Sequence, residues 1–494
     1  MPRTTASLNS FVSGEFSAKL DGRTDFEKYS SGCKTLQNML VHPQGAAARR
    51  VGTQFISSVK TAANKTRLIP FEFSTTQTYI LEFGNQYIRF YKDKGQILSS
   101  GSAYEISTPY LTAELFDIKF AQSADVMYLV HPNHEAMKLS RTDHTAWSLD
   151  QVEFTDGPYL PINTTATTLT PASSGTGTGV NITASAVTGI NGGDGFQTTD
   201  VGRIISFNSG KAKITSRTST TVVVCTITTA FANTDAKDDW KLGAFSDTTG
   251  HPSCVSFFEQ RLVFAGTTDE PQTIYFSKSG DYENMTTGTN ADDAMVYTIA
   301  SNQVNKIRYL KAVRTLLIGT TGGEFSVSAD GTDAAVTPTN ITIKRQSSFG
   351  AANVDAQPAG NAVLFLQRAK RKIRELAYNY DSDGYVAPDL TILNETVTKS
   401  GITEMAYQQS PDSILWCVRN DGVFSGLTYQ RTDNVVAWHR HILGGKSDTT
   451  KNIIQQQISF TANTTVVNGT NNTITLTSHG LATNDPIYYY AAAN

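Results

Sequence analysis

Residues Asp239 to Met285 read DWKLGAFSDTTGHPSCVSFFEQRLVFAGTTDEPQTIYFSKSGDYENM. Val255 and Phe257 stand two apart, as do Leu262 and Phe264, so each pair shares one face of a strand. Gly266, Pro271, Gly280 and Asp281 interrupt the apolar runs where a meander has to reverse. The stretch predicts one blade of a β-propeller with those four apolar residues as core.

The pattern recurs along the chain. Apolar strand-turn-strand pairs begin near positions 79, 126, 255, 316, 363 and 414. With an insert of roughly 75 residues subtracted, their spacing brackets the ~40 to 50 residues of a propeller blade. Six units are expected. A blade cannot bury both its faces alone, so neighbours must stack, and the turns repeat while the residues between them vary.

Taken in order, residues 1–60 are polar and punctuated by Gly14, Gly22, Gly32, Gly45 and Gly52, which predicts an extended arm with room for a short helix around Leu36 to Leu40. Residues 61–162 open the propeller. Gly84-Asn85 separates two aromatic runs as a hairpin turn, and DVMYLVHPNHEAMKLS forms a second hairpin that closes with Trp147 and Leu149. Residues 163–238 break the pattern. Their first half is Thr, Ser and Gly with few large apolar groups, and RIISF, AKITS and TVVVCTITT restore strands, so a small inserted β-domain with a mobile edge is expected. Residues 239–456 resume the propeller. In that part Ala369, Ile373, Leu376 and Tyr380 fall at helical spacing, yet Arg374, Leu376 and Tyr378 alternate, and a strand is the reading adopted. Residues 457–494 turn Thr/Asn-rich and predict the start of a further β-domain in a longer natural protein. The fold class is therefore all-β, a β-propeller-like platform with an inserted small β-domain and an extended N-terminal arm.

Bulk composition narrows the function. The chain has 494 residues, 39% of them hydrophobic, and a net charge of −3, which speaks against a phosphate-gripping or membrane-coating surface. Cys33, Cys225, Cys254 and Cys417 form no CxxC and read as buried thiols. The start MPRTTASLNS lacks an apolar core, and no apolar run reaches 18 residues, so folding in cytosol without a membrane-spanning segment is expected.

Each chemical motif has a plainer reading. His131, His134 and His144 suggest metal ligands, but Pro132 excludes the helix face that usually presents such pairs. His439 and His441 share one strand face, read as polar. Asp381-Ser-Asp383-Gly384 begins like a calcium loop, but Ile392 stands where a bidentate Glu belongs, so it reads as a turn. Arg368, Lys370, Arg371, Lys372 and Arg374 read as a solvated hairpin turn, and Gly319, Gly322 and Gly323 as turn glycines. Asp292 and Asp293 are adjacent and point to opposite faces, so they cannot converge as acid and base. No catalytic residue, metal ligand or cofactor is assigned.

Gly14-Glu15, Leu20, Gly22-Arg23, Asp25, Tyr29, Asn38, Arg49-Arg50 and Gly52-Thr53 open a series of short matches. RLIPFEFS, YILEFG, IRFY, FAQSADVMYLVHP, DGPYL, Asp200-Val201-Gly202-Arg203, TPTN, Arg374-Glu375-Leu376, EMAYQQ and AWHRH continue it. In number and order these resemble the tail nozzle proteins of short-tailed phages, also called tail tubular protein B, and the related phage stabilisation proteins. Ala18 and Val51 stand where that pattern has proline. The resemblance implies a non-enzymatic virion protein of the tail, assembled in the host cytoplasm. Such a protein forms a homohexameric channel for DNA ejection, docked on an adaptor ring and in reach of tail fibres, with DNA passing unread through the lumen. It also implies that the arm residues Arg23, Asp25, Arg49 and Arg50 sit at subunit or adaptor contacts, against intradomain salt bridging as the plain reading. Two other classes stay open: a propeller glycosidase or depolymerase, and a carbohydrate-binding adhesin without catalysis.

Overall fold

A computed structural model of the chain describes residues 8–301, 304–331 and 334–443, with the short antiparallel strands Val467–Asn468 and Thr473–Ile474. The expected C-terminal domain from residue 457 otherwise lies outside the described residues. The chain divides into two compact units.

The larger unit, Ile56–Arg368 with Leu376–Ala387, holds successive antiparallel sheets in chain order. The first is five-stranded and includes Arg67–Ser74, Gln77–Gly84 and Tyr87–Lys92. Four-stranded meanders follow over Lys119–Gln151, Cys254–Thr298 and Ile307–Ser347, and the antiparallel pair Gln357–Ala359 and Ala362–Leu366 comes after them. The first strands of neighbouring sheets lie side by side, Lys119–Ser123 beside Cys254–Phe258 and Cys254–Phe258 beside Ile307–Ala312, the arrangement of a propeller's inner strands. The protein is all-β and β-propeller-like.

Alternate residues of single strands show what holds the sheets together. Leu262 and Phe264 join Tyr128 and Val130 of the preceding blade, whereas Val263 and Ala265 join Leu316 and Ile318 of the following one. Leu317 turns the other way, to Val363 and Phe365. Both faces of a blade are thus core, so Arg261–Ala265, Leu316–Thr320 and Ala362–Leu366 are buried throughout rather than alternating. Arg67–Ser74 departs from this: Ile69 and Phe71 are buried while Leu68 and Pro70 are exposed.

Of the four residues read as core, Val255, Leu262 and Phe264 are buried, paired as Val255 with Phe264 and Phe257 with Leu262. Phe257 is half-buried, edge-on to Tyr128 and Tyr282. The Gly84-Asn85 hairpin forms, with Gln86 taking the positive φ, and Ile373–Asn379 is a strand. Two readings are corrected. Gly319 is not in a turn but inside Leu316–Thr320, where the Tyr309 ring covers it so closely that a Cβ would lie 2.0 Å from Cε1. No helix covers Leu36 to Leu40; Asn38 has φ 56°, and Met39–Val41 is a strand paired with Ala47–Arg49.

The insert is a six-stranded sheet whose strands include Gly177–Ala184, Ile204–Phe207, Gly210–Arg217 and Val222–Thr229. Its Thr/Ser/Gly-rich first half was expected to be a mobile edge, yet it supplies Leu169 and Ile182 to a core with Phe207, Ile214 and Val223. The few apolar residues are spaced to meet that core.

The smaller unit, Met1–Phe55, Ala369–Glu375 and Pro388–Asn494, contains a four-stranded meander over Ile402–His441, with Leu36 and Val41 of the arm packed on Val435 and Ala437.

Phe264 is fully buried, edge-on to Phe154 and Phe245 at 5.7 and 6.0 Å. Phe264→Ala is expected to cost about 3–5 kcal/mol in urea unfolding. A wild-type midpoint would place the ring in solvent and disprove this register.

Candidate functional site

The arm is fastened within the smaller unit by residues far apart in sequence. Gly14 has φ +67°, and a Cβ there would stand 2.3 Å from the Trp438 amide nitrogen, so only glycine fits. This close approach brings Glu15, 3% exposed, among donors. Its carboxylate accepts from the Leu36 amide at 2.8 Å, Arg440 Nε at 2.9 Å and Asn394 Nδ2 at 3.3 Å. The Asn38 amide donates to the Arg440 carbonyl at 2.7 Å, and Asn38 Oδ1 accepts from the Ile442 amide at 2.9 Å. Glu15 and Asn38 therefore hold the arm along Val435–His441.

Of the four arm residues read as interface, Arg23 and Asp25 meet each other, and neither contacts Arg49 or Arg50 through a hydrogen bond or ion pair. Arg23 donates through Nε and NH2 to the two Asp25 carboxylate oxygens, both at 2.8 Å, in an exposed pair. The Arg23 hydrogen bond holds the Asp25 carboxyl below its ordinary range. Arg49 is exposed on Ala47–Arg49, while Arg50 is half-buried, donates to the Val51 carbonyl and places its charge near His441.

His439 and His441 share a face, as expected, but the face is buried and not polar. Trp416 and Phe424 pack against it, and Gly426 opposite leaves room for the His439 ring. The hydrogen bonds fix the tautomers in sequence. Thr428 Oγ1 donates to the Val41 carbonyl at 3.1 Å, so it accepts from His439 Nε2 at 3.1 Å. His439 Nδ1 is then bare and accepts from His441 Nε2 at 2.6 Å. His441 Nδ1 ends the chain as a buried lone pair without a partner. Burial first, then the neighbouring His441, pushes His439 down to about 3; burial first, then Arg50, pushes His441 down to about 4.

In the larger unit, His131 ends strand Val126–His131 and His134 begins strand His134–Asp143, directly opposite across the hairpin. Sequence reading set this pair aside because Pro132 forbids a helix, yet cross-strand neighbours in a hairpin also share a face. Glu114, before the turn Leu115–Asp117, meets them: its Oε2 lies 2.9 Å from His134 Nε2 and accepts from the Leu111 amide at 2.9 Å. Burial pushes the Glu114 carboxyl up, but the Leu111 amide and His134 outweigh it and hold the group below its ordinary range. The three side chains offer ligand atoms within 4.8 Å of one another. His131 is buried and its Nε2 has no partner. Burial, then His134, pushes it down to about 4. His144 is elsewhere, its Nδ1 2.6 Å from the Tyr79 hydroxyl. No sequence spacing pointed to Glu114, which stands in an irregular segment.

The remaining candidates resolve into framework. Asp383 sits in the turn between Ile373–Asn379 and Gly384–Val386, and Tyr378 donates to it at 2.7 Å. Arg368, Lys370, Arg371 and Lys372 are exposed. The Asp293 carboxylate receives Lys278 at 3.1 Å and the Asn290 amide at 2.9 Å. Asp200 and Arg203 form an ion pair at 2.9 Å with no side-chain exposure, completed by Asn191, the Gln197 amide and the Gly243 carbonyl.

No protein-family model matches the chain, and no curated protein matches it. Solved structures overlap it loosely. The Cps50 (Swd1) β-propeller domain of Myceliophteria thermophila is 8% identical, over 72% of this chain and 96% of that one, at a TM-score of 0.32. Hsv2p of Kluyveromyces lactis is 10% identical, over 76% and 97%, at 0.30, and apo AztD of Citrobacter koseri 6%, over 76% and 82%, at 0.33. Overlap this loose adds nothing about function; the sheets themselves define a propeller-like all-β protein.

Unfolded, His439 and His441 titrate near the ordinary 6.5, and folded they titrate near 3 and 4. Their contribution is present above about pH 6.5 and is lost as pH falls toward 4, because the unfolded chain takes up the protons first. Unfolding free energy should therefore fall by up to about 1.4 kcal/mol per pH unit per histidine in that window. Urea denaturation of wild type and His441→Phe at pH 7.5 to 4.5 checks it: the variant's slope flattens by one histidine's share. Parallel slopes would mean that His441 is protonated in the folded state.

Proposed function

We propose that this chain is a structural virion protein, the tail nozzle subunit of a short-tailed phage, working as a non-enzymatic ring on an adaptor. One observation carries the reading. Residues quoted for the resemblance at opposite ends of the described chain, Gly14, Glu15 and Asn38 against Trp438 and Arg440, meet in one close-fitting, hydrogen-bonded clamp. Short matches scattered by chance have no reason to touch. Asp200 and Arg203, from another quoted motif, likewise pair with no side-chain exposure. The matched residues thus answer for framework, which suits a protein whose task is assembly. A small negative net charge suits a channel that DNA crosses without sticking.

Purified protein imaged by electron microscopy should form six-fold rings that bind phage particles carrying the adaptor but lacking the nozzle. A monomer at high concentration that leaves such particles unbound would defeat the proposal. Sugar release from a bacterial polysaccharide would favour the depolymerase class, and glycan binding without turnover the adhesin class. Arg49 is exposed on a short strand, so Arg49→Glu should leave the thermal midpoint within about 2 °C of wild type. If the arm lies at subunit or adaptor contacts, the same variant should weaken ring formation or docking at least tenfold. Unchanged assembly would remove Arg49 from the interface.

A further inference from the structure

We propose that Glu114, His131 and His134 form a binding site for a divalent transition metal ion of the zinc type. The proposal stands apart from the nozzle reading. The hairpin supplies two imidazoles from directly opposed positions, and the turn before Lys119–Ser123 supplies a carboxylate. Two imidazoles and one carboxylate are a zinc ligand set that leaves a fourth position open. Calcium and magnesium prefer oxygen ligands throughout, which this group lacks.

A tetrahedral ion at ~2.0–2.1 Å from each ligand needs ligand atoms roughly 3.3 Å apart. His134 and Glu114 already stand at 2.9 Å, and the three atoms lie within 4.8 Å, so small side-chain rotations close the set. Glu114 and His134 are about one-fifth exposed, at 19% and 23%, which gives an ion its way in.

His131 supplies the independent sign. The Asn133 amide donates to its Nδ1 at 3.1 Å, so the neutral ring carries its proton on Nε2, where it finds no acceptor. A buried donor left so is destabilising. Binding an ion through Nε2 moves that proton to Nδ1, which then gives up the Asn133 amide contact. Asn133 is exposed, so water can take over its amide. The Tyr110 ring stands edge-on to His134 at 5.3 Å, and its hydroxyl is a second buried polar atom without a partner. His251 is not a ligand, because its Nε2 is held at 2.9 Å by Asp247.

The test uses the untagged full chain, stripped with chelator and titrated with Zn²⁺ by calorimetry and with Co²⁺ by visible absorption. Wild type should bind one ion per chain and show the intense d–d bands of four-coordinate cobalt. Glu114→Gln and His134→Gln, at partly exposed positions, should each weaken binding at least tenfold while keeping the wild-type far-UV spectrum. His144→Gln should bind as wild type does. Absence of saturable binding in wild type overturns the proposal, as does equal binding by the Glu114 and His134 variants. If both variants fail to fold, the wild-type titration and cobalt spectrum decide it alone.

Discussion

Blades of the larger unit depend on their neighbours, because strands such as Arg261–Ala265, Leu316–Thr320 and Ala362–Leu366 are buried on both faces. Residues 262 to 265 show the constraint within four positions: Leu262 and Phe264 complete one interblade core, Val263 and Ala265 the next. At about 25 cal/mol per Å² of apolar surface, leaving either face in water would cost more than a sheet of four short strands could recover alone. Stability is therefore distributed over interfaces, and each interface is shared. The same constraint explains Gly319, where absence of a side chain lets the Tyr309 ring lie across a strand that would otherwise crowd it.

With both faces apolar, polar chemistry is pushed to strand ends and loops, and buried polar groups there serve the backbone. Arg67 donates to the Leu115 and Ile118 carbonyls, and Arg261 to those of Ser277 and Asp293, gathering oxygens that no strand partner reaches. Asp200 with Arg203 and Glu15 with Arg440 do the same in the insert and along the arm. Removing one partner of such a group strands a buried charge.

What was legible in the sequence follows from this division. Blade strands were readable because paired apolar runs separated by turn residues are set by local geometry: Val255, Leu262 and Phe264 were placed correctly, as was Ile373–Asn379 despite its helical spacing. Phe257 was overestimated because its shelter comes from Tyr128 and Tyr282, not from its own strand. Leu36 to Leu40 misled because the left-handed Asn38 is imposed by Arg440 and Ile442, some 400 residues away. The insert's first half looked empty because a small core needs few apolar residues if each is well placed. Glu114 was invisible for the simplest reason: a ligand in an irregular turn has no periodicity to betray it.

Among the described residues, two histidine pairs end in an orphaned nitrogen, and chemistry separates them. At His439 and His441 the orphan is a lone pair, the pair is fully buried, and the nearby charge is the cation Arg50, so a second cation would enter against repulsion and desolvation together. At His131 and His134 the nearby charge is a carboxylate already within hydrogen-bond reach, and two of the three side chains touch solvent. The first pair is a closed relay whose only response is to acid, felt as lost stability. The second has the opposite field and an entrance, so the same residue type that locks one sheet can serve as a ligand on another.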